Sequence, residues 1–191
     1  MKVRQDDFVS AARKLYERQG LRATTIKDVT DALGVRRTLF YHYFSSKDEL
    51  NTAVLNAYID EYLASLTAWK DRQSLSQVDD AILESVRILR SYMFDVSGNS
   101  FLRSLASSEN AALYLEFTDL VADRLSVFFV DTVVRAYMAV RDLEVKNVYG
   151  TFYLLIYGLI GLLRHHPGTS DEQLRDLVMQ SLHVAGVKPV T

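Results

Sequence analysis

The sequence contains no cysteine and only two prolines among its 191 residues. Without cysteine, the chain can form neither a disulfide framework nor a thiolate metal site, and a reducing cytosol is the expected compartment. With so little proline and only eight glycines, the chain has no collagen-like or linker-like tract. The first ten residues lack the apolar stretch of a signal peptide.

A long hydrophobic run is missing as well. The longest one, residues 148–163, has sixteen residues and includes three tyrosines. It is shorter than the roughly 20 residues that span a bilayer, so it predicts a buried helix and no association with a membrane. Hydrophobic residues make up 49% of the chain and charged residues 24%, which is typical of a globular protein rather than a disordered one.

Charge is unevenly distributed along the chain. The net charge of −2 does not by itself point to nucleic acid. Residues 1–50, however, carry ten Lys or Arg and seven Asp or Glu, a net +3, which leaves −5 for the remainder. A basic head on an acidic body suits a polyanionic partner at one end.

Apolar spacing predicts an all-α protein of about nine helices, namely a tight three-helix head followed by a larger helical bundle. Thr25–Asp28, Ser46–Glu49 and Ser170–Gln173 have the pattern of capping boxes, which predict three helix starts. The helix that starts at Ser46 is expected to reach about Trp69. Before the last capping box we expect further helices over about 77–96, 101–107, 109–140 and 144–166. The expected domains are an N-terminal head, 2–62, and a C-terminal body, 63–191.

The most informative stretch is 25–44, which predicts a helix-turn-helix. A short helix led by Ile26 ends at Gly34, a residue that can adopt the positive φ of a sharp turn. A second short helix follows from Arg36 to Phe44, with Phe40 and Phe44 on one face for the core. Its remaining positions are rich in Arg, Thr, Tyr and His, which suit contacts to bases and phosphates.

At these positions the sequence resembles the TetR family of bacterial regulators. The resemblance is specific over about residues 6–64, and beyond them only helix order and length fit. It depends on the following residues: Phe8, Ala12, Leu15, Gly20, Thr25, Ile26, Val29, Gly34, Val35, Arg37, Tyr41, Tyr43, Phe44, Lys47, Glu49 and Leu50. Thr30, Arg36, Thr38 and Leu39 depart from the family pattern, so the operator cannot be inferred from relatives.

The resemblance implies that the helix from Arg36 to Phe44 lies in the DNA major groove. Arg36, Arg37 and Thr38 would reach base edges, and an Arg can bond guanine bidentately. Tyr41, Tyr43, Thr25 and Lys47 would contact phosphates. His42 would reach a base or a phosphate, and Leu39 would pack or meet a thymine methyl. The predicted DNA-binding residues are thus Thr25, Arg36, Arg37, Thr38, Leu39, Tyr41, His42, Tyr43 and Lys47.

The resemblance also implies a symmetric homodimer built from the last two helices, and an effector bound in the middle helices. We expect the dimer interface to include Tyr149, Ile156, Gly158, Ile160, Gly161, Leu163, Leu174, Leu177, Val178 and Leu182. The core of a monomer would produce the same apolar pattern. Aromatic residues can line a pocket for a small, largely apolar effector, and the candidates are Trp69, Tyr92, Phe94, Phe101, Tyr114, Phe117, Phe128, Tyr153 and Tyr157.

The sequence therefore predicts a cytoplasmic bacterial repressor that binds double-stranded operator DNA and is released by an effector. Repression is adopted from the family, and a ligand-independent or activating regulator of the same fold is the alternative. We expect no cofactor, no metal and no enzymatic activity, because no catalytic or nucleotide-binding motif is present. The remote alternatives are an enzyme without DNA binding and a helical interaction protein. The paired arginines and Lys47 disfavour the interaction protein, which needs no basic head.

Overall fold

The computed structural model describes residues 3–70, 78–94, 105–135 and 145–183. These residues contain helices and no strand, which confirms the all-α prediction. A 3-10 turn covers Ser108–Asn110 and a π-helical segment covers Phe129–Val134. Within the described ranges, no helix is long and apolar enough to cross a membrane. The α-helices are α1 Gln5–Gln19, α2 Ile26–Ala32, α3 Arg37–Tyr43, α4 Lys47–Lys70, α5 Val78–Phe94, α6 Ala111–Phe128, α7 Val148–His165 and α8 Asp171–Ser181.

Two of the predicted helix boundaries are wrong. The helix expected from about residue 144 begins at Val148, because the Asn147 side chain caps it by accepting from the Gly150 N–H at 3.0 Å. The helix expected over 109–140 is α-helical only as far as Phe128, where it changes to the π-helical segment. Two further expectations fall outside the described residues. They are most of the short helix expected over 101–107 and the end of the helix expected to reach 140.

Two of the three predicted capping boxes are confirmed, and the third is wrong in one half. Thr25 caps α2 with Asp28, and Ser170 caps α8 with Gln173, each by reciprocal hydrogen bonds. Before α4, the Ser46 hydroxyl accepts from the Glu49 N–H at 3.1 Å as expected. The Glu49 carboxylate, however, accepts from the N–H and the hydroxyl of Ser45, at 2.6 and 2.7 Å, instead of from Ser46.

The described residues form two compact units. The first comprises 3–61 and 105–117, and the second comprises 62–70, 78–94, 118–135 and 145–183. In the first unit, the buried Phe8 of α1 packs against Phe40 of α3 and against Phe44, the residue that follows α3. Its ring centroid is 5.9 Å from that of Phe40 and 6.2 Å from that of Phe44, both edge-on. Edge-to-face packing adds to the free energy that burial of these rings contributes.

A polar network joins α1 to α4 within the first unit. The Arg13 guanidinium donates to both carboxylate oxygens of Glu61, with Nη2 2.9 Å from Oε2. The same guanidinium lies 4.1 Å from the ring centroid of Tyr58, whose hydroxyl donates to Glu17 at 2.8 Å. Bidentate and cation–π contacts together fix the angle between the two helices more firmly than a single exposed ion pair does.

The start of α6 also belongs to the first unit, although the sequence analysis assigned it to the C-terminal body. The Thr52 hydroxyl of α4 donates to the Glu116 carboxylate of α6 at 2.6 Å. Arg22 pairs with Glu109 at 3.3 Å, although both side chains are exposed and this pair adds little. The contacts are between residues distant in sequence, which is why spacing alone did not reveal them.

The second unit is a helical bundle in which α8 packs on α5 and α7. Its core includes Leu89 of α5, Ile160 of α7 and Leu174 of α8, all buried. Arg90 ties α5 to the loop before α8: its Nε donates to Asp171 at 2.6 Å, and its other nitrogens donate to the carbonyls of Pro167 and Thr169. This arrangement fixes the start of the last helix.

Candidate nucleic-acid interface

The turn between α2 and α3 is closed by the backbone. Leu33 ends α2, and Gly34 follows in the left-handed region with φ 65°. The Gly34 N–H donates to the Asp31 carbonyl at 3.1 Å, and the Val35 N–H donates to the Thr30 carbonyl at 3.0 Å. These two bonds form a Schellman motif, which satisfies two of the carbonyls at the end of α2. The predicted positive φ at Gly34 is confirmed.

The start of α2 is held by Thr25. Its hydroxyl donates to the Asp28 carboxylate at 2.8 Å and accepts from the Asp28 N–H at 3.2 Å. Bonds from the Thr25 backbone N–H, and then from its hydroxyl, lower the pKa of Asp28. The hydroxyl therefore serves the cap, and a phosphate at this position would have to compete with Asp28 for its proton.

One side of α3 is inaccessible. Phe40 and Phe44 are 0% and 1% exposed, and their ring centroids lie 5.5 Å apart. This confirms the prediction that both residues belong to the core. Because α3 has only two turns, burial of this side determines which of its other residues face solvent.

The opposite side of α3 is exposed and carries the predicted reading residues. Arg36, Arg37, Thr38, Tyr41 and His42 are all exposed, and Tyr41 retains 48% of its accessible surface. Arg36 is the residue that caps the helix. This side of the helix therefore presents two guanidinium groups, two hydroxyls and an imidazole together, a set that can bond to base edges and phosphates.

Within that exposed set, Arg37 and Tyr41 form a pair. The Nη2 of Arg37 donates to the Tyr41 hydroxyl at 3.0 Å, and the guanidinium carbon lies 5.5 Å from the ring centroid. The Tyr41 hydroxyl thus accepts one bond and keeps its own proton available for another acceptor. The pair restricts the rotamers of a long side chain before any ligand is present.

The structure places three further predicted residues less openly. Leu39 is half-buried, which suits the predicted packing role. The Tyr43 hydroxyl donates its single proton to the Val3 carbonyl at 3.1 Å, so a phosphate would have to displace that bond. The Lys47 ammonium donates to the Leu21 carbonyl at 2.8 Å, and burial lowers its pKa. An ammonium has three protons, so Lys47 can still reach a second acceptor.

The aromatic residues predicted to line an effector pocket are distributed over both units. Tyr114 and Phe117 lie in the first unit, whereas Phe101 lies outside the described residues. In the second unit, Tyr92 stacks on Tyr62, with centroids 4.6 Å apart and planes 19° apart. The remaining predicted residues of that unit are Trp69, which is buried, and Phe94, Phe128, Tyr153 and Tyr157, which are half-buried.

Sequence reasoning missed Tyr62, Phe129 and Phe152 as partners of the predicted aromatics. Phe129 stacks on Phe152 at 5.4 Å, and Tyr62 is 1% exposed. The missed signal was spacing, because Tyr62 precedes Trp69 by seven residues and therefore shares its face of α4.

Most residues predicted for a dimer interface are core residues of the single chain. The exposed ones are Tyr149, Gly158 and Leu177, and Gly161 is half-buried. Leu154, which was not predicted, is 74% exposed one turn before Gly158. Helical spacing from Gly158 and Gly161 would have identified it. The buried residues are Ile156, Ile160, Leu163, Leu174, Val178 and Leu182.

The geometry of α2, the Gly34 turn and α3 defines a helix-turn-helix protein. The family model "Bacterial regulatory proteins, tetR family" matches residues 8–54. Residues 8–54 are therefore similar to the DNA-binding head of the TetR family of bacterial regulatory proteins.

Two relatives and one solved structure illustrate the similarity. The HTH-type transcriptional regulator YfiR of Bacillus subtilis (strain 168) is 28% identical over 127 residues, which is 64% of this chain and 62% of YfiR. The HTH-type transcriptional repressor KstR2 of Rhodococcus jostii (strain RHA1) is 34% identical over 58 residues, which is 30% of this chain and 28% of KstR2. The matched segments thus span less than two thirds of these relatives.

The similarity to a solved structure extends beyond the head. A crystal structure of RolR in complex with resorcinol superposes with a TM-score of 0.67 at 14% identity, covering 95% of this chain and 88% of RolR. At that identity, the likeness establishes the shared fold.

Proposed function

We propose that this protein is a sequence-specific DNA-binding transcriptional regulator that acts in the bacterial cytosol. The observation that carries the proposal is the exposed side of α3. It presents Arg37, Tyr41 and the neighbouring polar residues, while Phe40 anchors the opposite side in the core. A helix held this way can enter the major groove without rearranging the head.

In the proposed complex, Arg37 bonds a guanine edge. A bidentate Arg–guanine contact contributes about 1–3 kcal/mol of discrimination between bases. The Tyr41 hydroxyl accepts a hydrogen bond from Arg37 and donates its proton to a phosphate oxygen. Tyr41 therefore links the contact to the DNA backbone with the contact that Arg37 makes to a base. Arg36, Thr38 and His42 supply further contacts from the same exposed side.

We propose that the regulator acts as a homodimer. Two heads are needed to read two half-sites about one helical turn, roughly 34 Å, apart. The surface that supports this proposal lies on α7 and α8, where Leu154 and Leu177 are 74% and 43% exposed. Gly158 lies between them in chain order with open space beside its backbone, which would let a partner helix approach closely.

Repression with release by an effector is the proposed mode of action. KstR2 is named as a repressor, and RolR is named in complex with resorcinol, a small aromatic molecule. These names support a repressor that senses a small, largely apolar ligand in its C-terminal unit. An effector can shift the protein between two states only by as much as its affinities for those states differ.

A mobility-shift assay with the DNA upstream of the protein's own gene tests the proposal. Binding should be tight at low salt and should weaken steeply as salt rises, because phosphate contacts release counterions. Arg37→Ala should weaken binding at least tenfold through the lost base contact. Arg18→Ala is the matched control, since it removes the same charge from an exposed position on α1. Absence of binding at low salt, or equal effects of both variants, would contradict the proposal.

A further inference from the structure

A buried donor in the second unit has no acceptor among the residues that the structure describes. Trp69 is 5% exposed, and its indole Nε1–H is buried without a hydrogen-bond partner. Leaving such a group unsatisfied costs a protein on the order of 1–3 kcal/mol, so its presence in a native core requires an explanation. Phenylalanine at this position would avoid the cost.

The residues that precede Trp69 on its face of α4 are apolar or aromatic. Leu66 and Tyr62 precede it on the same face of α4, and both are buried. Tyr62 stacks on Tyr92 of α5 with the planes 19° apart, so a pair of aromatic rings lies within two turns of the indole along α4. Aromatic faces with one fixed polar group are typical of small-molecule sites, where the polar group orients the ligand.

We infer that the Trp69 Nε1–H is the polar anchor of the effector site, and that the effector is a small aromatic molecule carrying a hydrogen-bond acceptor oxygen. The indole N–H is a donor only, so the ligand must accept. An ether, carbonyl or phenol oxygen fits, and a pure hydrocarbon does not. This inference rests on the proposed sensing role and specifies the chemical class of the effector.

Two pairs of probes of matched shape test the inference. Methoxybenzene and 1,3-dimethoxybenzene carry acceptor oxygens, whereas ethylbenzene and 1,3-diethylbenzene have methylene groups in their place. Because Trp69 is the only tryptophan in the chain, its emission reports binding at this site directly. Each oxygen-bearing probe should bind about fivefold more tightly than its hydrocarbon partner, the ratio that one net hydrogen bond provides.

The matched variant is Trp69→Phe, followed by calorimetry because it lacks the fluorophore. It keeps an aromatic ring and removes the N–H, so the affinity ratio within each pair should fall to about one. A second variant with β-(3-benzothienyl)alanine at position 69 replaces the N–H by sulfur at nearly the same shape. It gives the same prediction without a change in packing, so a poorly folded Trp69→Phe would not obscure the result.

The inference is overturned if no probe binds up to its solubility, if the paired probes bind the native protein equally, or if the preference for oxygen survives both substitutions. The DNA mobility shift of the native protein, measured without probe, is independent of these results. If the native protein does not shift the DNA, the proposed regulatory function is wrong. If the protein shifts the DNA but does not prefer the oxygen-bearing probes, only this inference is wrong.

Discussion

Arg37 and Tyr41 are joined on the exposed side of α3 by a hydrogen bond of 3.0 Å, with the Arg37 guanidinium near the Tyr41 ring. The two residues are four positions apart and so lie on one face of the helix. The contact exists in the protein alone, which means that the arginine is already oriented before it meets DNA. Their proposed roles in DNA recognition should therefore depend on each other.

Replacing Tyr41 with Phe should weaken operator binding about fivefold, since one net hydrogen bond of ~1 kcal/mol is lost. The loss should be smaller when Arg37 is already Ala, because the residues act together. A double-mutant cycle measured by fluorescence anisotropy at fixed salt checks this. Additive effects of the two substitutions would show that Tyr41 contacts phosphate independently of Arg37.

Gly34→Ala should lower the free energy of unfolding by about 1–2 kcal/mol, the cost of a left-handed conformation in a residue with a Cβ. The added Cβ would meet no atom within 4 Å, so crowding does not contribute. Gly34→Asn should cost less, because asparagine tolerates this region. Urea denaturation measures both variants. Equal losses for Ala and Asn would show that the backbone conformation at Gly34 is not the cause.

Asp28→Asn should destabilise the head at neutral pH and have less effect in acid. Bonds from Thr25 lower the pKa of Asp28 below its ordinary value of 3.8. The contribution of the carboxylate is therefore present above that ordinary value and is lost as the pH falls through the lower folded value. Unfolding free energies at neutral pH and near pH 3 give the comparison. Thr25→Ser, which keeps the hydroxyl, should retain the native pH dependence. An Asp28→Asn effect that is independent of pH would contradict this prediction.

Leu154→Glu should convert the proposed dimer into a monomer, because a carboxylate would be buried opposite its own copy. The side chain is 74% exposed in the single chain, so the fold and the helical circular dichroism should be unchanged. Leu115→Glu, at a 52% exposed position of α6, is the matched control. Sedimentation velocity distinguishes the two. If Leu115→Glu dissociates the dimer and Leu154→Glu does not, the interface lies on α6 and the prediction is wrong.

Local features of the head could be predicted because they depend on residues that are close in sequence. Thr25 and Asp28 are three positions apart, and the Gly34 turn is closed by residues 30–35. Contacts between distant residues could not be predicted in the same way. The Arg13 pairing with Glu61 spans 48 positions, and no periodicity specifies which exposed charges will meet.

The dimer residues show a different limit. Helix α7 is apolar on nearly all sides, so the pattern identifies hydrophobic positions without saying which of them face the chain's own core. In the structure Ile156 and Ile160 face inward and Leu154 faces outward. Packing against α5, α8 and the π-helical segment distinguishes these faces.

The division of α3 into a buried and an exposed side has a consequence for how such proteins diverge. Phe40 is part of the core, and the turn before the helix is held by backbone bonds. Arg36, Thr38 and His42 are exposed, so mutations there can accumulate with little penalty in folding. If these residues read DNA as proposed, duplicated copies of the gene acquire new target sites by substitutions at these positions, while selection for a folded head preserves Phe40 and the turn.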